Sequence, residues 1–193
     1  DNLKPGTFVI VDQFIDRTIN RKKSFFDKGI VAHVPMAHPT CDVLMNLSKD
    51  TCENIKINYS FGGTYLAMEG PQFSTYAESN LYIDWGCDVI GMTNMPEAKL
   101  AREAEIRYCS ISMVTDYDCW HPDHDKVDLS MIIKTLNDNV DNSKNFIKNL
   151  STKYYEGVSF ENDKTSNILD TSIITKKEFW DKDLESNLSN ILK

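Results

Sequence analysis

An α/β fold is predicted by three patterns in this 193-residue chain: short β-branched and aromatic runs, intervening stretches with apolar residues at helical spacing, and Gly, Pro or Asn at the joins. The first run, Thr-Phe-Val-Ile-Val-Asp, follows the Pro5-Gly6 turn signal and predicts a buried strand from Gly6 to Asp12. Phe14 to Ala32 reads as a long loop. Val43, Leu44, Leu47 and Ile55, with polar residues between them, predict an amphipathic helix from about Cys41 to Asn54. A helix from about Ser74 ends at Gly86, the residue type that follows a last helical turn. Cys87 to Met92 predicts a short strand, after which Asn94 and Pro96 supply an N-cap and a compatible early proline for the next helix. Ile106 to Thr115 predicts another strand, and Asp116 to Asp125 is polar.

Leu129, Ile132, Ile133, Leu136, Val140, Ile147 and Leu150 recur at helical spacing and predict the longest helix. Residues 151–174 are weakly patterned and read as a loop or arm. Thr175 and Glu178 have capping-box spacing, so a C-terminal helix is expected over 175–193, with Leu184, Leu188 and Ile191 as its apolar stripe. No repeat or internal boundary is visible, so residues 1–193 read as one domain. The chain opens on Asp1 and is already strand-like by Gly6, which leads us to expect that it starts inside a longer fold.

A net charge of −8 and an isoelectric point near 5.0 argue against a nucleic-acid binder, whose affinity rests on clustered Lys and Arg. A small-molecule enzyme fits better. No apolar run approaches the ~18 residues that span a bilayer, so no membrane association is expected and cytoplasmic is the default location. Five cysteines without a C-x-x-C pair fit reduced thiols rather than a disulfide or zinc framework.

Chemistry concentrates in three segments. Thr115-Asp116-Tyr117-Asp118-Cys119-Trp120 places two carboxylates just after a strand, where α/β folds tend to build ligand sites. The pair suits a general acid and an orienting acceptor, although solvated loops and caps also carry Asp-x-Asp. Glu69-Gly70-Pro71-Gln72-Phe73-Ser74 is a turn from strand to helix that presents an aromatic ring beside a hydroxyl. It reads either as a wall for a flat heterocycle or as a buried Phe with a Ser N-cap. Gly91-Met92-Thr93-Asn94 ends a strand at a helix start, which is either an anion site or a simple cap.

These segments carry a family resemblance. Together with the stretch from Pro5 to Thr18, His33-Val34-Pro35-Met36, Ala77-Glu78-Ser79, Trp85-Gly86 and Pro96-Glu97, they closely resemble the methylthioadenosine phosphorylases, within the trimeric purine nucleoside phosphorylase superfamily, over roughly residues 4 to 150. The resemblance implies a mixed central sheet flanked by helices and phosphorolysis of S-methyl-5'-thioadenosine to adenine and 5-methylthioribose 1-phosphate. It implies no cofactor, with inorganic phosphate as co-substrate, and a homotrimer. In the family, the Asp matching Asp116 hydrogen-bonds purine N7 and can give it a proton, and the Asp matching Asp118 accepts from the 6-amino group. Residues matching Phe73 and Ser74 line the base pocket; the 6-oxopurine enzymes carry a Glu at the Ser74 position and an Asn at Asp116. Met92 matches a ribose contact and Thr93 a phosphate contact, while Met68 and Ile90 match apolar lining. Val127, Leu129, Ile132 and Ile133 fall where the family holds the 5'-methylthio group, although a plain helix core explains the same pattern. His33 of a neighbouring subunit would close that side.

The family's glycine-rich phosphate loop, Arg-His pair and Thr-Ala segment have no counterpart here. With them the opening βα units are expected to lie N-terminal to Asp1, in which case these residues alone should be inactive or poorly folded. Gln72 replaces an Arg found in some members. Other readings stay open: a broader purine nucleoside or methylthioinosine phosphorylase, or a silent binding module. His121-Pro122-Asp123-His124 could suggest a metal, but the spacing lacks a fixed helix and the resembled enzymes need none; Cys119 could suggest a nucleophile, but it has no identifiable basic partner and phosphate would serve that role, so a structural thiol is expected.

Overall fold

The computed structural model describes residues 3–26, 29–121, 129–161 and 163–192. Its framework begins with two strands in tandem, β1 (Phe8–Val11) and β2 (Gln13–Asp16). Beside them run β3 (Tyr59–Phe61) and β4 (Thr64–Ala67). β5 (Val89–Gly91) extends one half and β6 (Ser110–Met113) the other, giving two three-stranded sheets ordered β3-β1-β6 and β2-β4-β5. β1 is parallel to β3 and antiparallel to β6, whereas β2, β4 and β5 are all parallel. The expected mixed strand arrangement is divided between two sheets, one mixed and one parallel, with the chain bending from one into the other. The bend falls at Asp12 and at Gly62-Gly63, where Gly62 takes φ +84°, a left-handed conformation that glycine adopts without steric cost. Asp12 fastens it by accepting from the Gly63 N–H at 2.8 Å.

All four residues of β1 are buried, because the strand is covered on both faces. Phe8 packs with Cys52 and Phe146 on one side; Val9 and Val11 join Tyr65, Ala67, Met95 and Ala98 on the other. Helix α1 (Asp42–Ile55) matches its expected span and ends on Lys56 in the left-handed region. α2 (Tyr76–Asp84) is capped by Thr75, not Ser74, in a reciprocal capping box with Glu78, and Gly86 follows at φ +73°. α3 (Glu97–Glu103) has no side-chain cap, since Asn94 donates instead to Ser110 Oγ at 2.8 Å.

Several expected spans change. β2 lies inside the expected loop from Phe14 to Ala32, because β4 supplies its backbone partners and Phe14 packs against Tyr65 and Tyr108. β6 is shorter than Ile106 to Thr115, since β1 offers only four pairing residues. α4 (Leu129–Tyr155) runs five residues into the expected arm, which also contains the short α5 (Leu169–Ser172). A single helix over 175–193 does not form: Thr175 accepts from the Val31 N–H at 2.9 Å rather than capping. A 3₁₀ turn (Lys177–Phe179) is followed by α6 (Lys182–Asn187), capped by Asp181. The expected stripe still packs, with Leu184, Leu188 and Ile191 meeting Phe26, Ile30 and Leu169.

All five cysteines are free thiols. No helix among the described residues is long and apolar enough to cross a membrane.

Candidate active site

The three segments singled out in the sequence leave the strands at one place. Met68 follows β4, Met92 follows β5, and Thr115-Asp116 follows β6 by one residue. The crevice beyond strand ends is where α/β sheets commonly bind ligands. A cavity of about 740 Å³ opens there, lined by Met68, Phe73, Ser74, Ile90, Met92, Asp116 and Asp118 among the expected site residues.

Each wall is held by part-buried polar contacts. Arg21 spans two of them: its guanidinium donates to the carbonyls of Met92 (2.8 Å), Met95 (2.7 Å) and Glu69 (2.9 Å), locking the loops after β4 and β5 together. The segment leading into Arg21 is anchored by Asp16, which accepts from the Thr18 N–H at 2.9 Å, pairs with Lys23 at 3.0 Å and bonds Lys99. Burial alone would raise the Asp16 carboxyl, but the hydrogen bonds from Lys99, Thr18 and Lys23 outweigh it and hold it well below the usual carboxylate range. Behind Met92, the Tyr65 hydroxyl lies 3.2 Å from the Thr93 hydroxyl and accepts from the Thr93 N–H at 3.3 Å. Gly91 makes room for that phenol, since a Cβ there would sit 1.9 Å from the Tyr65 hydroxyl. The third wall is fixed where the Val114 carbonyl accepts from Gly6 N–H (2.8 Å) and Asn139 Nδ2 (3.1 Å).

The two carboxylates are held differently. Asp118 has a donor on each oxygen: the Ser79 hydroxyl on Oδ2 and the Cys119 N–H, at 2.8 Å, on Oδ1. Asp116 Oδ1 accepts from the Thr115 hydroxyl. Phe73 is 85% exposed at the rim, a ring with an uncovered face. The Ser74 hydroxyl rests against Met68 Sδ at 3.7 Å, and the Cys119 thiol donates to the Ser74 carbonyl at 3.7 Å, a structural tie between the two loops.

Other expected site residues fall elsewhere. Thr93 adjoins Met92 but is not among the residues lining the cavity. His33 is exposed and does not line it, and its backbone N–H donates to the Ser172 carbonyl at 2.8 Å. Ile133 is half exposed on α4 and does not line the cavity either. Val127 and the side chains of Leu129 and Ile132 lie outside the described residues, as does His124. Among the described residues no cluster of His, Cys, Asp and Glu is arranged for a metal, and the His121 ring stacks on Tyr117 at 4.1 Å. Arg21, which ties two loops of the cavity, and Ser79, which bonds Asp118, are not distinguished by any local sequence signal. Arg21 lies in a stretch that reads as loop, and Ser79 belongs to the Ala77-Glu78-Ser79 string.

Residues 1–152 match the family model of the phosphorylase superfamily. The chain belongs to the phosphorylase superfamily. It is 52% identical over 191 residues to an S-methyl-5'-thioadenosine phosphorylase of Rhodospirillum rubrum; the match takes in 99% of this chain and 65% of that relative. The chain thus spans about two thirds of the length of that superfamily member. Among solved structures, a methylthioadenosine phosphorylase from an Antarctic soil metagenomic library superposes with a TM-score of 0.88 at 39% identity, over 99% of this chain and 67% of that one. The Schistosoma mansoni methylthioadenosine phosphorylase, solved in complex with adenine, gives a TM-score of 0.82 at 27% identity, over 90% and 68% of the two chains.

Proposed function

We propose that the whole protein cleaves S-methyl-5'-thioadenosine with phosphate, releasing adenine and 5-methylthioribose 1-phosphate, and that this chain supplies the purine half of the site. The observation that carries the reading is the convergence of Asp116, Asp118, Phe73, Ser74 and Met92 on one cavity beyond the strand ends. Relatives named for this reaction, and a similar structure holding adenine, support it.

In this mechanism the C1'–N9 bond breaks as a phosphate oxygen bonds C1'. The electron pair left on the base is neutralised by a proton placed at N7 from Asp116, a general-acid contribution of about 10²–10⁴-fold. Asp118 accepts from the 6-amino group, Phe73 and Ser74 bound the ring, and Met92 contacts the ribose. Thr93, held by Tyr65, contributes a hydroxyl to phosphate. Positioning and electrostatics dominate, because negative phosphate must meet a sugar that is becoming cationic. The exchange involves no change of oxidation state, and inorganic phosphate serves as co-substrate.

In the same reading, Val127, Leu129, Ile132 and Ile133 make an apolar wall for the methylthio group, and His33 completes a neighbour's site in a homotrimer. His33 is exposed and does not line its own chain's cavity, which leaves it available for that arrangement. We place the protein in the cytoplasm. The test is phosphate-dependent turnover of methylthioadenosine, adenosine, methylthioinosine and inosine by the protein from its complete reading frame. Methylthioadenosine should lead. Preference for inosine would sink the roles given to Asp116 and Ser74.

A further inference from the structure

Ser79 stands out among the polar residues around the cavity. It is fully buried on the first turn of α2, and its hydroxyl donates to Asp118 Oδ2. A buried hydroxyl has one proton to give, and here it goes to a carboxylate, the stronger class of hydrogen bond. The helix that carries Ser79 is itself fixed: Thr75 and Glu78 cap each other reciprocally, and the Ser79 N–H bonds the Thr75 carbonyl at 2.9 Å. With the Cys119 N–H on Oδ1, the Asp118 carboxylate is gripped at both ends, which sets the plane of the group and leaves each oxygen a further lone pair. Among the described residues, Asp116 receives only its neighbour Thr115. The two acids are therefore built differently, one clamped and one held locally.

We infer that Ser79 is a positioning residue for purine selection: its hydroxyl fixes the plane of Asp118 so that the carboxylate presents an acceptor to the exocyclic amine of a 6-aminopurine. The inference rests on the proposed reading of Asp118 as the amine acceptor. Ser79 does not itself touch the base. Without it, Asp118 keeps its place in the chain but can turn about its last bond toward water, and the amine loses a preset partner.

The experiment is equilibrium binding, by calorimetry, of adenine and of unsubstituted purine to the whole protein and to Ser79→Ala, with melting temperatures measured alongside. Purine lacks the amine and serves as the internal control. Ser79→Ala should weaken adenine binding about tenfold, as expected for loss of one hydrogen bond to a charged group, and leave purine within about twofold. Ser79→Thr, which keeps the hydroxyl, should restore most of the adenine affinity. Equal losses for both ligands, or no loss for either, would overturn the inference. Should Ser79→Ala not fold, Ser79→Cys, nearly isosteric with a weaker donor, carries the same comparison and must show the same adenine-specific loss. An unmutated protein that does not distinguish adenine from purine would instead sink the reading of Asp118 itself.

Discussion

Replacing Arg21 by alanine should disconnect two walls of the cavity at once. The guanidinium makes three hydrogen bonds of 2.7 to 2.9 Å, to the carbonyls of Met92, Met95 and Glu69, and a longer one of 3.4 Å to Met68. Its side chain is 24% exposed, so the freed carbonyls would be only partly rehydrated. At a net contribution of about 1 kcal/mol per short bond, the truncation should cost about 3 kcal/mol of stability. The 3.6 Å contact to Glu69 adds little, being partly solvated on both sides. Urea unfolding of the whole protein at neutral pH reads this as a fall in midpoint at constant slope, and adenine affinity should drop in the same variant because the loops carrying Phe73 and Met92 lose their common anchor. Arg21→Lys should recover part of the stability but not the span, since an ammonium cannot reach several carbonyls with a planar fork. A stability change below about 0.5 kcal/mol, the range of an ordinary surface substitution, together with unaltered adenine binding, would refute the assignment of Arg21 as the anchor.

Gly91→Ala would drive a methyl into the Tyr65 phenol, whose hydroxyl and Cζ would lie 1.9 and 2.7 Å away. Overpacking of this kind costs about 1–3 kcal/mol, and displacement of Tyr65 should also weaken phosphate binding by releasing Thr93; unchanged melting and phosphate affinity would contradict it. Asp16, held as a carboxylate well below its ordinary value of 3.8, contributes stability that is fully present above that pH and is lost as pH falls below it. Asp16→Asn should therefore be less stable than the parent at pH 6 by urea midpoint, and the gap should narrow toward pH 3. A gap that stays constant with pH would show that the ion-pair cluster with Lys23 and Lys99 is not its source.

Much of the framework could be read from the chain because local pattern and burial agree there. Phe8 to Val11 is apolar throughout since both faces are covered, and α1 shows its helical period because only one face is. β2 was hidden for the opposite reason: Gln13 to Asp16 is half-buried and polar at both ends, and becomes a strand because β4 lies alongside. The tail misled through Thr175, whose capping-box spacing with Glu178 is chemically sound but whose hydroxyl is claimed by Val31, 144 residues away in sequence. In the site, Asp116, Asp118, Phe73 and Ser74 were legible because they follow strands in a recognisable string. Arg21 and Ser79 were not, because what distinguishes them is a set of partners far off in sequence: carbonyls beyond β4 and β5, and a carboxylate 39 positions on.

The central claim is that Asp116 and Asp118 read and protonate a 6-aminopurine, and it is tested most directly by kcat/KM for methylthioadenosine and methylthioinosine in the whole protein and in Asp116→Asn. The parent should prefer the 6-amino substrate. The variant should lose about 10²–10⁴-fold on methylthioadenosine, the range for a missing general acid, with its preference over methylthioinosine narrowed. Near-parental turnover of methylthioadenosine by Asp116→Asn, with the preference intact, would contradict the account.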